Sequence, residues 1–228
     1  YDGNTDQSND GQYQHQMNIH NWLLGNRQRM NIQYLFHDGD IIDDEPNIQE
    51  WEQADAAYKK LDVAKFPYGV LAGNHDVGHL NGDYSNYTQY FGENRYLSNP
   101  WYGGSYKNNR GHYDLISVDG IDFIMLYMGW GIGDEEIQWM NDVLAQYPER
   151  KAILNFHEYL LAVDLARNHS ESTMKLSRKM KMSAWFFPDI IIMRRQELIH
   201  LQMQMEVQEK CTICCLIIRD LWKEEPDI

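Results

Sequence analysis

Two short apolar runs, each ending in a turn of acid, amide and imidazole side chains, constrain this chain more than any other feature. Ile32-Gln33-Tyr34-Leu35-Phe36 leads into Gly39-Asp40-Ile41-Ile42-Asp43, and Tyr68-Gly69-Val70-Leu71-Ala72 leads into Gly73-Asn74-His75-Asp76. Both runs read as buried strands. Between them, Asn47 to Leu61 carries Trp51, Ala54, Ala57, Tyr58 and Leu61 at helical spacing. Strand, helix and strand over roughly 30 residues make a βαβ crossover, whose two strands run parallel. Both turns then lie past the carboxyl ends of neighbouring strands, the edge where an α/β sheet presents its chemistry.

The rest of the chain punctuates around that unit. The first 14 residues, rich in Asp, Asn, Gln and Gly, read as a loop, and a helix follows from about Gln14 to Arg29. Tyr84 to Tyr113, dense in Tyr, Asn and Gly, reads as a long loop region whose Trp101 and Tyr102 read first as packing residues and second as candidates for stacking on a base or sugar. Asp119-Gly120 joins two alternating strands, His112 to Val118 and Ile121 to Tyr127, as a hairpin. Gly133-Asp134-Glu135-Glu136 opens an amphipathic helix with Ile137, Trp139, Met140, Val143 and Leu144 on one face. The helix leads to a third strand and turn, Ala152-Ile153-Leu154-Asn155-Phe156-His157-Glu158. His37 and Asp38 read as strand-end neighbours of the first turn, and His79 and His112 as exposed loop residues.

Composition narrows the function classes. A chain of 228 residues with 43% hydrophobic and 24% charged residues has the makings of one globular core. Its net charge of −14 argues against non-specific nucleic-acid binding, which needs Lys and Arg against phosphates. No apolar run approaches the ~18 residues of a membrane-spanning helix. An opening on Tyr1 without Met is expected of a fragment or processed chain, and a secreted or cell-surface parent is compatible with it. The character changes after Val163: all 16 Gly lie at or before Gly133, and all three Cys lie at Cys211, Cys214 and Cys215. Residues 1–163 hold 24 of the 34 acids and 10 of the 20 bases, so the tail is neutral and the body carries the whole charge. The tail is expected to lack strands and to pack poorly, and its Cys residues lack a partner pair for a zinc site.

The three motifs, in this order and each after a strand, resemble the GDxxD, GNHD/E and strand-His segments of the calcineurin-like metallophosphoesterases. The resemblance covers Asn18 to about Val163 and implies an α/β fold, a calcineurin-like four-layer αββα sandwich, here incomplete. It implies hydrolysis of a phosphomonoester or diester with two divalent metal ions, such as Mn, Fe or Zn. By the same resemblance Asp40 bridges the two ions, and Asn74 and His157 bind the second. His75 and Asp76 are the catalytic pair, with His75 facing the phosphate as general acid and Asp76, like Asp43, orienting the site loops and the imidazole. Two family segments have no match here: an Asp-x-His or Asp-x-Gln after a first strand, and a late Gly-His-x-His.

The codons of Phe187 to Met193, read from the third base of each, permit Ser-Gly-His-Tyr-His-Asn. The expected organisation is therefore a partial phosphoesterase domain over 1–163 and a tail over 164–228 that is out of frame. Activity in such a chain is expected to be impaired. The alternative class is a non-catalytic carbohydrate- or protein-binding module on a degenerate scaffold of this kind.

Overall fold

The computed structural model describes residues 11–78 and 82–157, and the backbone of two further strands at 183–186 and 190–194. Helix α1 (Gly11–Asn26) precedes a parallel pair, β1 (Leu35–His37) and β2 (Tyr68–Val70), joined through helix α2 (Ile48–Val63). A short helix α3 (Ser85–Phe91) follows. Then come β3 (Tyr102–Tyr106), β4 (Gly111–Val118), β5 (Ile121–Met128), helix α4 (Asp134–Gln146) and β6 (Lys151–Phe156). The last two strands are β7 (Ser183–Phe186) and β8 (Ile190–Arg194), and the second sheet has the order β3-β4-β5-β6-β8-β7.

Alternation along the strands builds the layers. Leu35 and Val70 turn to one side, where Trp51, Ala54, Tyr58 and Leu61 of α2 and Phe91 of α3 meet them. Tyr34 and Phe36 turn to the other side and pack with Phe123, Met125 and Tyr127 of β5 and Ile153 of β6. The opposite face of β5 and β6, through Ile124, Leu126, Ala152 and Leu154, takes Ile137, Met140, Val143 and Leu144 of α4. Helices, small sheet, large sheet and helix thus stack as four layers, the calcineurin-like arrangement, because each strand alternates its apolar residues between two covered faces. No helix of the described residues is long and apolar enough to cross a membrane.

Helix α2 starts where its cap chemistry dictates. The Asn47 side chain accepts from the Gln49 N–H at 3.2 Å and donates to Glu50 Oε1 at 2.9 Å. In α4, Glu136 reaches back to the Gly133 N–H at 3.0 Å, satisfying one of the orphan donors of the first turn. The hairpin turns at Asp119 and Gly120, with φ of 50° and 78°, the left-handed pair that a two-residue turn requires.

Three expectations are corrected. The Tyr84 to Tyr113 region is not one long loop: α3 and β3 lie in it. The half-buried Tyr102 stacks on Tyr96 and on His112, the packing role that the sequence favoured for it. His112 is not an exposed loop residue; it is buried in β4 against Tyr127, ring centroids 4.4 Å apart. Beyond Val163, the chain does carry strands: β8 pairs antiparallel with β6 from Ala152↔Met193 to Asn155↔Ile190, and β7 pairs with β8. The β6 edge offers unpaired backbone groups, and Ile190-Ile191-Ile192-Met193 is a run suited to meet them.

One buried polar contact ties the two sheets. Tyr34, just before β1, donates its hydroxyl to Asp114 Oδ2 of β4 at 2.5 Å, both residues being about as buried as any in the core. Burial pushes the Asp114 carboxyl up from 3.8 to about 8. Because the folded value lies above the unfolded one, folding favours the protonated acid. That contribution is full below pH 3.8 and is lost as pH climbs to about 8. Asp114→Asn removes this titration, so thermal or urea unfolding from pH 5 to pH 8 should show the variant gaining on the parent by up to about 1.4 kcal/mol per pH unit. Parallel pH curves would show that Asp114 is ionised in the fold.

Candidate active site

The two parallel strands end at His37 and Val70, and the turns that follow cross each other at two glycines. Gly39 has φ of 100°, and an added Cβ there would lie 2.5 Å from His157 Nδ1 and 2.7 Å from the Gly73 nitrogen. A Cβ on Gly73 would run into the Asp40 carboxylate and come within 2.8 Å of the His157 ring. The absence of both side chains lets the turns touch. Asp40 itself sits at φ 51°, a left-handed conformation that Asp tolerates better than most residues. Asn74 is right-handed at φ −69° and opens the 3₁₀ turn His75–Val77.

Asp40, Asn74 and His157 come together at this edge. His157 follows β6, which runs parallel to β5, and its turn meets those after β1 and β2. Its Nε2 lies 3.0 Å from Asn74 Oδ1 and 3.5 Å from Asp40 Oδ1. Its Nδ1–H donates to the Asp38 carbonyl at 2.7 Å. With Nδ1 so committed, a neutral ring presents a lone pair at Nε2, and the two oxygens opposite present lone pairs as well. Three converging lone pairs favour a cation between them. An imidazole nitrogen, a carboxylate and an amide oxygen are donors that a divalent transition ion accepts. Among the described residues no group of three His, Cys, Asp or Glu side chains converges. The convergence here is two such side chains and an amide.

His75 stands beside this group. Its backbone N–H donates to Asp40 Oδ1 at 3.1 Å, and its Nδ1–H is shared between the Asp43 carbonyl at 2.8 Å and the Asp43 carboxylate at 2.9 Å. Burial lowers the His75 imidazole, but the Asp43 carbonyl and the carboxylates of Asp40, Asp43 and Asp76 outweigh it and raise its pKa above the ordinary value. Burial, with Glu50 and Asp44 nearby, lifts Asp43 too, against the pull of His75.

Asp76 turns inward. It is wholly buried, and its carboxylate accepts the Gly73 N–H at 2.7 Å and the Ile42 N–H at 3.0 Å, one from each turn. Burial and the Asp40 charge push it up to about 7 against those donors. Glu50 Oε2 accepts the Asp43 and Asp44 N–H groups at 2.8 and 3.1 Å, tying the first turn to the cap of α2. His37 is a core residue, edge-on to Tyr58 and driven well below its ordinary pKa by burial. His79, Glu158 and the three Cys lie outside the described residues.

Sequence reasoning passed over Glu50, the Asp38 carbonyl and Trp130, whose ring centroid lies 5.8 Å from that of His157. Trp130 sits two residues past β5, so the strand-end rule applied to the first two turns would have found it.

This fold and edge define a class, and comparison with known proteins gives it a name. The profile of the calcineurin-like phosphoesterases matches residues 9–186, and the chain belongs to that family, whose members generally use divalent metals to hydrolyse phosphoesters. Over 140 residues, 61% of its length, the chain is 59% identical to the uncharacterized protein YvnB of Bacillus subtilis (strain 168), and it spans 11% of that relative's length.

Gly73→Ala tests the crossing of the two turns. The new methyl has backbone and a carboxylate in its way rather than a flexible side-chain end, so destabilisation of about 1–3 kcal/mol is expected. Ala at Gly25, where a Cβ meets nothing within 4 Å, serves as the control. Equal melting temperatures for the two variants would show that the turns have room to part.

Proposed function

We propose that this chain is a metal-dependent phosphoesterase domain whose centre is the Asp40, Asn74 and His157 cluster. The convergence of His157 Nε2 on the Asn74 and Asp40 oxygens carries this reading, since it sets three acceptors against one another. Two divalent ions held at this edge would neutralise the phosphoryl oxygens and activate a water. Asp40, Asn74 and His157 would hold them, Asp40 as the carboxylate the two ions would share and Asn74 and His157 at the second. The Asp38 carbonyl fixes the tautomer that leaves Nε2 free, as outer partners of metal-binding histidines do.

His75 holds the proton for the departing alkoxide. Asp43 aims the ring and raises its pKa, which favours the protonated imidazole. Asp76 and Glu50 are positioning residues that hold the two turns through backbone N–H groups. The substrate is a phosphomonoester or diester, and the charge of −14 speaks against a nucleic acid held along its backbone.

The reading includes an impairment. The chain as written lacks a match to two of the family's metal-binding segments, and the third-base frame after Val163 permits one of them. We therefore read residues 164–228 as out of frame, which sequencing the gene across the codons for Val163 to Met193 decides directly.

The activity test compares the chain as written with a frame-corrected version that also carries an N-terminal Asp-x-His or Asp-x-Gln segment. With manganese and p-nitrophenyl or bis-p-nitrophenyl phosphate, the corrected version should turn over orders of magnitude faster. Completing the ion sites is worth several kcal/mol, and about 1.4 kcal/mol is tenfold in rate. Asp40→Asn should abolish the gain and weaken Mn²⁺ binding. Comparable rates in the two versions would refute the impairment, and an Asp40→Asn protein of undiminished rate and Mn²⁺ affinity would refute the centre.

A further inference from the structure

Trp130 packs in part against the core that α2 covers, and its ring also borders that of His157. It follows β5 directly, and β5 pairs in parallel with β6, in register from Phe123↔Lys151 to Met128↔Phe156. Trp130 and His157 therefore leave adjacent strands at the same edge. Their rings meet at 65°. Trp51 of α2 is wholly buried, whereas Trp130 is only partly so.

The segment carrying it is pinned from several directions. Its N–H donates to the Ala72 carbonyl at 2.9 Å, just ahead of the Gly73 turn. Its carbonyl accepts the Tyr84 hydroxyl at 2.7 Å. Arg110 lies over the Tyr84 ring and donates to the Gly131 carbonyl at 2.7 Å, while the Gly129 N–H donates to the Arg110 carbonyl at 2.9 Å. Gly131, at φ 87°, turns the chain away immediately after the indole. A broad ring held this way offers contact area with little conformational entropy left to lose on binding.

We propose that Trp130 is a specificity residue: the wall against which the organic group of the phosphoester lies when its phosphoryl group meets Asp40, Asn74 and His157. A rigid indole face selects a planar aromatic group over a small alkyl one, through offset stacking and the apolar area it covers. The substrate class is then an ester of a phenol-like or heteroaromatic alcohol. This inference rests on the phosphoesterase reading above.

Binding measured by calorimetry on the 228-residue chain with Mn²⁺ present separates the two, with phenylphosphonate and methylphosphonate as probes that are not hydrolysed. The parent should prefer phenylphosphonate. Trp130→Ala should weaken phenylphosphonate about tenfold and methylphosphonate less than about twofold, with Mn²⁺ affinity unchanged. Trp130→Phe should restore most of the loss, and it serves as the test variant should the Ala protein melt near the assay temperature. Equal weakening of both phosphonates, or of neither, overturns the wall, as does a parent that binds Mn²⁺ and both phosphonates alike. If the 228-residue chain binds no Mn²⁺, as its two unmatched metal segments allow, the same titrations on the frame-corrected version decide, and a corrected version that binds none overturns the phosphoesterase reading on which the wall depends.

Discussion

The Asp76 carboxylate is the interaction on which the rest of this edge depends. It reaches the Gly73 N–H in its own turn and the Ile42 N–H in the other. Parallel pairing of β1 with β2 brings the two turns only to the same edge; it does not fix how they cross. Asp76 makes that choice, because a buried carboxylate tolerates its setting only with donors aimed at it. The glycines make it sterically possible, since Gly39 and Gly73 each remove a Cβ that would separate the turns. Asp40 is then left facing outward, in the left-handed conformation that turns its carboxylate toward His157.

A second set of contacts carries that order into the body of the protein. Glu50 serves three donors at once: the cap residue Asn47 and the N–H groups of Asp43 and Asp44. The start of α2 and the end of the first turn are thereby one unit, and α2 is in turn buried through Trp51, Ala54, Tyr58 and Leu61. On the far side, Tyr34 and Asp114 bind the small sheet to the large one, which holds His157. The candidate site draws on both sheets, so its geometry is only as firm as their packing.

How much of this was legible beforehand follows the range of each signal. The βαβ unit, the Asp119-Gly120 hairpin, α4 and the strand before His157 announce themselves through local periodicity and turn chemistry, and the structure has them. The strand-end rule placed Asp40, Asn74 and His157 at one edge, where the structure brings them together. What was missed depends on distant partners. β3 is short and rich in Gly, Tyr and Ser, and becomes a strand only because β4 offers it an edge. β8 likewise exists by pairing with β6. Nothing local to His112 foretells its burial, which Tyr96, Tyr102 and Tyr127 impose from other strands and turns. The resemblance gives Asp76 the task of orienting the site loops; what no motif encodes is the identity of its partners, the Gly73 and Ile42 N–H groups.

The electrostatics of the edge connect scaffold and chemistry. Asp40, Asp43, Asp44, Glu50 and Asp76 crowd a small region, and Asp43 and Asp76 are both lifted, first by burial and then by acidic neighbours. Such crowding weakens a protein in isolation, because each carboxylate makes its neighbours harder to ionise. A divalent cation reverses the sign of that cost, being the largest local charge and opposite to all of them. Binding to the folded chain alone would also stabilise it by mass action. Such an arrangement, costly on its own, is one that bound cations would relieve. Scaffold and edge are held by different forces: apolar layers secure the sheets, while the acidic edge carries charges that cations in the proposed centre would balance.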